Sequence, residues 1–94
     1  MGGGVPSKRV RVRVSGRVQG VFLRDSVRRE AAGHGVAGWV RNCPDGTVEA
    51  VFEGAPDAVG ELVELCRRGP GQADVEQVDV HEEQPEGLEE FEVR

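Results

Sequence analysis

Residues 8–15, KRVRVRVS, alternate strictly between valine and arginine. Successive side chains of an extended chain point to opposite faces, so Val10, Val12 and Val14 fall on one side and Arg9, Arg11 and Arg13 on the other. A helix would scatter those valines around its circumference. The segment is therefore a strand with one face in a core and one arginine face read as solvated. Such a strand is not stable alone. It demands neighbouring strands and something apolar packed on its valine side.

The rest of the chain supplies both. Leu23, Val27 and Ala31 recur at the spacing of one helix face, predicting a helix over 23–34 that Gly33 and Gly35 stop. VAGWVRNC (36–43) and TVEAVFE (47–53) are strands joined by the turn PDG (44–46), giving a hairpin. Residues 54–69 predict a second helix. Pro56 suits its first turn, Asp57 and Glu61 its positive end and Arg67 and Arg68 its negative end, with Val59, Leu62, Val63 and Cys66 as the buried face. Residues 73–84 alternate again, with a bulge expected near Gln77, and FEVR (91–94) reads as a short edge strand.

The order β-α-β-β-α-β gives an α+β fold class: a ferredoxin-like split βαβ, with an antiparallel sheet, two helices on one face and the short terminal strand added. A chain of 94 residues holds one such domain, placed at 8–94. MGGGVPS (1–7) is read as a flexible lead-in, with no apolar core of a secretory signal. No run of 18 apolar residues predicts a membrane span.

Charge is unevenly spread. Residues 1–43 carry nine Lys/Arg against two acidic residues, and residues 44–94 carry three Arg against fifteen. A positive half suits an anionic ligand, although the two halves also neutralise each other across the surfaces of the fold. Arg17 and Arg41 are placed to attract an anion at long range. Cys43 and Cys66 lack metal-ligand spacing and read as small buried thiols in a reducing cytosol, with a disulfide between them left open. His34 reads as an exposed helix end, and His81 has no partner set for a metal. Trp39 reads as a packed aromatic, with contact to a substrate as the lesser alternative.

The segment between the first strand and the first helix, SGRVQGVFLRD (15–25), carries the chemistry. Gly16 and Gly20 permit positive φ and close backbone approach. Successive N–H groups in such a turn form a nest for anions, and the turn runs into a helix N-terminus. Arg24, in the first helical turn, can fork onto two phosphate oxygens. Strand, glycine loop, helix start and arginine make a phosphate cradle. On composition alone the same loop is also an ordinary tight turn.

GRVQGVFLR (16–24) resembles the first signature of the acylphosphatase family, and GWVRNCPDGTVEAVFEG (38–54) its second, at the matching separation. The resemblance extends over residues 8–94. It implies metal-independent hydrolysis, without a cofactor, of the carboxyl-phosphate bond of small acyl phosphates, giving a carboxylate and inorganic phosphate. By this resemblance Arg24 binds the phosphate with backbone amides of Arg17, Val18, Gln19, Gly20, Val21 and Phe22, and Asn42 orients the attacking water. The implied partners are an acyl phosphate substrate and inorganic phosphate as product or inhibitor, with no nucleic acid and no membrane, for a cytoplasmic monomer. One position departs from the family pattern: Leu23 stands where an aromatic is usual, and a packing adjustment is expected there. Two alternatives to catalysis stand beside it: a phosphometabolite sensor without turnover and a nucleic-acid module. Trp39, Phe22, Phe52 and Phe91 are the only aromatics, and they form no RNA-binding pattern.

Overall fold

A computed structural model of the chain describes residues 7–20 and 22–94. Its elements are β1 (Lys8–Arg17), α1 (Leu23–His34), β2 (Ala37–Asn42), β3 (Val48–Gly54), α2 (Pro56–Arg68), β4 (Asp74–Glu83) and β5 (Phe91–Val93). The lead-in expected at 1–7 lies, apart from Ser7, outside the described residues.

The alternation in β1 does what its pattern requires. Val10, Val12 and Val14 are buried in one core with Leu23, Val27 and Ala31 of α1 and Val59, Leu62, Leu65 and Cys66 of α2. Leu65 takes the buried place on α2 expected for Val63, which is only half-buried. The sheet order is β4-β1-β3-β2-β5. Strands β1 and β2 each pair antiparallel with β3, so they run in the same direction and end at the same edge of the sheet. The ferredoxin-like order is as expected, with β3 between β1 and β2. Strand β5 pairs parallel to β2, making the sheet mixed rather than wholly antiparallel. Stacking of Phe91 on Phe52, with ring centroids 6.1 Å apart, ties this short strand to the core.

The bulge falls where the sequence placed it. Ser15 pairs with Gln77 and Gly16 with Val75, so Glu76 is the extra residue. This carries β1 through Gly16 to Arg17, and Gly16 belongs to the strand rather than the loop. A Cβ there would lie 2.2 Å from the Asp74 carbonyl oxygen, so glycine is required by the close approach of β4.

The second face of the sheet is not simply solvated. Arg9 is 4% exposed and Glu53 3%. Their side chains pair at 3.2 Å, and Arg9 also reaches Glu83 at 2.9 Å. Arg11 bridges Glu83 and Glu49, and Arg41 joins Glu49 at 2.8 Å. The cover comes from the segment after β4. Backbone N–H groups of Glu86, Gly87 and Leu88 donate to the Glu53 carboxylate at 2.7–3.0 Å and pull that segment across the strand. Burial alone would push the Glu53 carboxyl up. The three amides and Arg9 outweigh it and hold the group below the ordinary carboxylate range. Trp39 lies on this face as a packed aromatic, with the guanidiniums of Arg11 and Arg94 over its ring at 5.4 and 4.7 Å.

The thiols of Cys43 and Cys66 are both free and buried. Burial pushes the Cys66 thiol up to about 12, so it is an inert core residue. His34 is exposed at the end of α1. No helix among the described residues is long and apolar enough to cross a membrane.

Candidate active site

At the shared edge of β1 and β2 the chain leaves β1 and turns into α1. Val18 is 1% exposed and plugs the loop into the core. The Gln19 side chain points the other way. Its Nε2 donates to the carbonyls of Cys43 and Thr47 at 2.7 and 2.8 Å, clipping the loop to the mouth of the β2–β3 hairpin. Gly20 has φ 72° with open space where a Cβ would stand, so conformation rather than crowding demands glycine. Val21 lies outside the described residues. Phe22 then adopts φ 65°, ψ 16° and opens α1 without a side-chain cap, its carbonyl accepting from the Ser26 amide at 3.0 Å. The first turn of α1 therefore keeps its free N–H groups and the positive end of its dipole.

An acidic residue in that turn would oppose an anion. Asp25 is instead engaged by Arg28 at 2.8 Å and by Arg29 at 3.5 Å. The hydrogen bond from Arg28, with the charge of both arginines, holds its carboxyl below the usual range. These contacts offset its charge within the helix.

Arg24 sits in the same turn, half-buried. Its Nη1 donates to the main-chain oxygen of Arg94, the last residue of the sequence, at 3.0 Å. That acceptor is itself fixed. The Arg94 N–H donates to the Val40 carbonyl at 2.8 Å, continuing the β5 ladder, and the Arg94 guanidinium lies over Trp39. Strand β5 thus aims Arg24. Among the described residues no Asp or Glu side chain pairs with Arg24, which leaves its other guanidinium N–H groups for a ligand.

Asn42 ends β2 opposite Val48. The turn that follows is rigid. The Cys43 amide donates to Thr47, and Asp45 accepts from both the amide and the hydroxyl of Thr47. Those two bonds, first the hydroxyl and then the amide, keep the Asp45 carboxyl low. Arg24 and Asn42, on different elements, line one cavity of about 410 Å³ with Val18, Gly20, Phe22 and Leu23. Asp25, Arg28 and Val93 complete its lining.

The cavity thus unites most of the residues singled out from the sequence. Arg17 and Gln19 are not among its lining. Arg17 continues the β1 ladder opposite Asp74, and the Gln19 side chain is spent on the clip. Leu23, the departure from the family pattern, is 1% exposed in the core beneath α1. Four participants were not foreseen: the Gln19 side chain, the Asp25–Arg28 pair, Val93 and the Arg94 main-chain oxygen. The i,i+3 spacing of Asp25 and Arg28 was readable. The reach of β5 was not, because three residues carry no period.

A model of the acylphosphatase family, described as Acylphosphatase, matches residues 10–93. The chain belongs to the acylphosphatase family. It is 63% identical over 89 residues to an acylphosphatase of Rubrobacter xylanophilus, covering 94% of this chain and 81% of that one. It is 59% identical over 85 residues to an acylphosphatase of Gloeobacter violaceus, covering 90% and 91%. The solved structure of an acylphosphatase from Coxiella burnetii matches with a TM-score of 0.88 at 42% identity, over 94% of this chain and 93% of that chain. The acylphosphatase family is a family of enzymes, and the cavity at the α1 N-terminus is its candidate active site in this chain.

Proposed function

We propose that this chain is a metal-independent acylphosphatase that cleaves the carboxyl-phosphate bond of small acyl phosphates. The observation that carries the reading is the meeting of Arg24 and Asn42 in one cavity at an uncapped helix N-terminus. In the reaction the phosphoryl group lies against Arg24 and the amides between Arg17 and Phe22, whose partial charges meet the phosphoryl oxygens. Asn42 orients a water through its amide and does not deprotonate it. The water oxygen attacks phosphorus, the bond from phosphorus to the carboxyl oxygen breaks, and the water proton passes to a phosphoryl oxygen. The acyl group departs as a carboxylate, whose acid has a pKa of about 4, so no general acid is required.

Two observations weigh against the alternatives. A phosphate sensor has no use for an amide such as Asn42 in the cavity that holds Arg24, and Leu23 is buried in the core. A base-stacking sheet face is also disfavoured, because Trp39 is buried and its ring is already met by the guanidiniums of Arg11 and Arg94. The test is hydrolysis of acetyl, benzoyl and carbamoyl phosphates by purified protein in EDTA. Turnover of at least one is expected, with inorganic phosphate as a competitive inhibitor. Full activity in Arg24→Ala would sink the reading. The same reading takes the chain as a cytoplasmic monomer, which sedimentation at micromolar concentration checks for the oligomeric state.

A further inference from the structure

Phe22 breaks several local rules at once. It is the one non-glycine residue with positive φ among the described residues. An aromatic side chain in that region is strained, and sparsely populated backbone states persist where the surroundings enforce them, commonly at functional sites. It occupies a helix N-cap, where Ser, Thr, Asn or Asp would satisfy a free amide, and it caps nothing. Its side chain is 78% exposed. Neither core packing nor a side-chain hydrogen bond compensates, and asparagine would fit this position better on every count.

The exposed apolar side chains nearby share one destination. Three large apolar residues are exposed among the described residues: Phe22, Val93 at 43% and Leu88 at 36%. Phe22 and Val93, which come from opposite ends of the chain, line the cavity that holds Arg24 and Asn42. A phosphoryl group seated on Arg24 leaves most of that volume unfilled, and Val18, Phe22, Leu23 and Val93 line the cavity beside the polar Asp25, Arg28 and Asn42.

We propose that Phe22, with Val93, forms the acyl-side wall of the site and makes the chain selective for acyl phosphates with an aromatic or bulky apolar acyl group. This rests on the hydrolytic reading above. It adds that the left-handed turn at Phe22 aims the ring at the substrate rather than at the core. An aromatic contact of this kind is worth about tenfold in kcat/KM, from the usual strength of aromatic pairs.

The experiment compares benzoyl and acetyl phosphate, reading the ratio of their kcat/KM values. Dividing each variant's ratio by that of the native protein removes the intrinsic reactivity of the two substrates. Phe22→Asn retains a residue suited to left-handed φ and is expected to lower the ratio about tenfold. Phe22→Trp is expected to hold or raise it. Val93→Ser, which lies outside the phosphate loop, is expected to lower it two- to threefold, on the order of a partly buried methyl contact. Ratios within twofold of native in both Phe22→Asn and Val93→Ser overturn the proposal, whether or not both rates change together. Absence of turnover of either substrate by the native protein overturns the hydrolytic reading instead.

Discussion

The outer face of the sheet and the mouth of α1 are both built with arginine, and they treat it in opposite ways. On the sheet face Arg9, Arg11, Arg13 and Arg41 each meet at least one carboxylate within 4 Å. Acids and bases there are matched, and Arg9 is buried only because Glu53 is buried with it. At the mouth of α1, Arg28 and Arg29 answer Asp25, Arg24 meets only the main-chain oxygen of Arg94, α1 lacks a cap, and Phe22 sits in a strained turn. One region pairs every arginine with an acidic side chain. The other keeps Arg24 clear of them, and that difference marks a site more sharply than the residue types do.

The largest effect that could break this contrast is loss of Arg24. Arg24→Ala is expected to lower kcat/KM about 10³-fold, the upper end of the roughly 10²–10³ that a single preorganised donor at developing charge is worth. Its melting temperature should stay near native, because the one bond lost is exposed. Arg9→Ala should do the reverse. Stranding Glu53 without its cation is expected to destabilise by about 3 kcal/mol, read as a drop of roughly 12–24 °C in Tm, with kcat at 25 °C retained. If Arg9→Ala inactivates the folded protein, or Arg24→Ala unfolds it, the two regions do not divide the work as argued.

Asn42→Ala is the next step down. It should lower kcat about 10²-fold while changing the inhibition constant of inorganic phosphate less than threefold, because orienting water is separate from holding the anion. Equal losses in both would make Asn42 part of the phosphate cradle.

Acid titration sharpens the comparison further. Glu83 is held low by hydrogen bonds from Arg11 and Arg9. Glu49 and Glu53 are held low despite burial, which pushes the other way. A carboxylate whose folded pKa lies below its unfolded value contributes stability that is complete above the unfolded value and is lost as pH falls through the folded one. Tm should therefore be flat from neutrality down to about pH 5 and fall below about pH 4.3. Glu83→Gln should make that fall shallower. An unchanged acid limb would mean that the lattice on the sheet face is electrostatically idle.

The smallest effect is a gain. Phe22→Asn should stabilise the protein by about 1 kcal/mol, through relief of left-handed strain and a new cap on α1. Thermal denaturation measures it. A loss of stability would mean that the Phe22 ring supports the fold.

The sequence shows the strands and helices well because each carries its own period. Val10, Val12 and Val14 announced β1, and Leu23, Val27 and Ala31 announced α1. The cavity was legible through Gly20, Arg24 and Asn42, once two distant stretches were read together. What stayed hidden depends on contacts without a period. The burial of Arg9 needs the segment at 84–90, whose polar residues look like an ordinary solvated loop until three of their amides find Glu53. The place of Gly16 inside β1 depends on how closely β4 approaches. The aim of Arg24 depends on a main-chain oxygen seventy positions away.

The amide of Gln19 has a last consequence. By gripping both sides of the hairpin mouth it ties the loop after β1 to the end of β2, so that opening the hairpin must also break the hold on the loop. On the function proposed above, the anion cradle and Asn42 would then be lost together rather than one at a time.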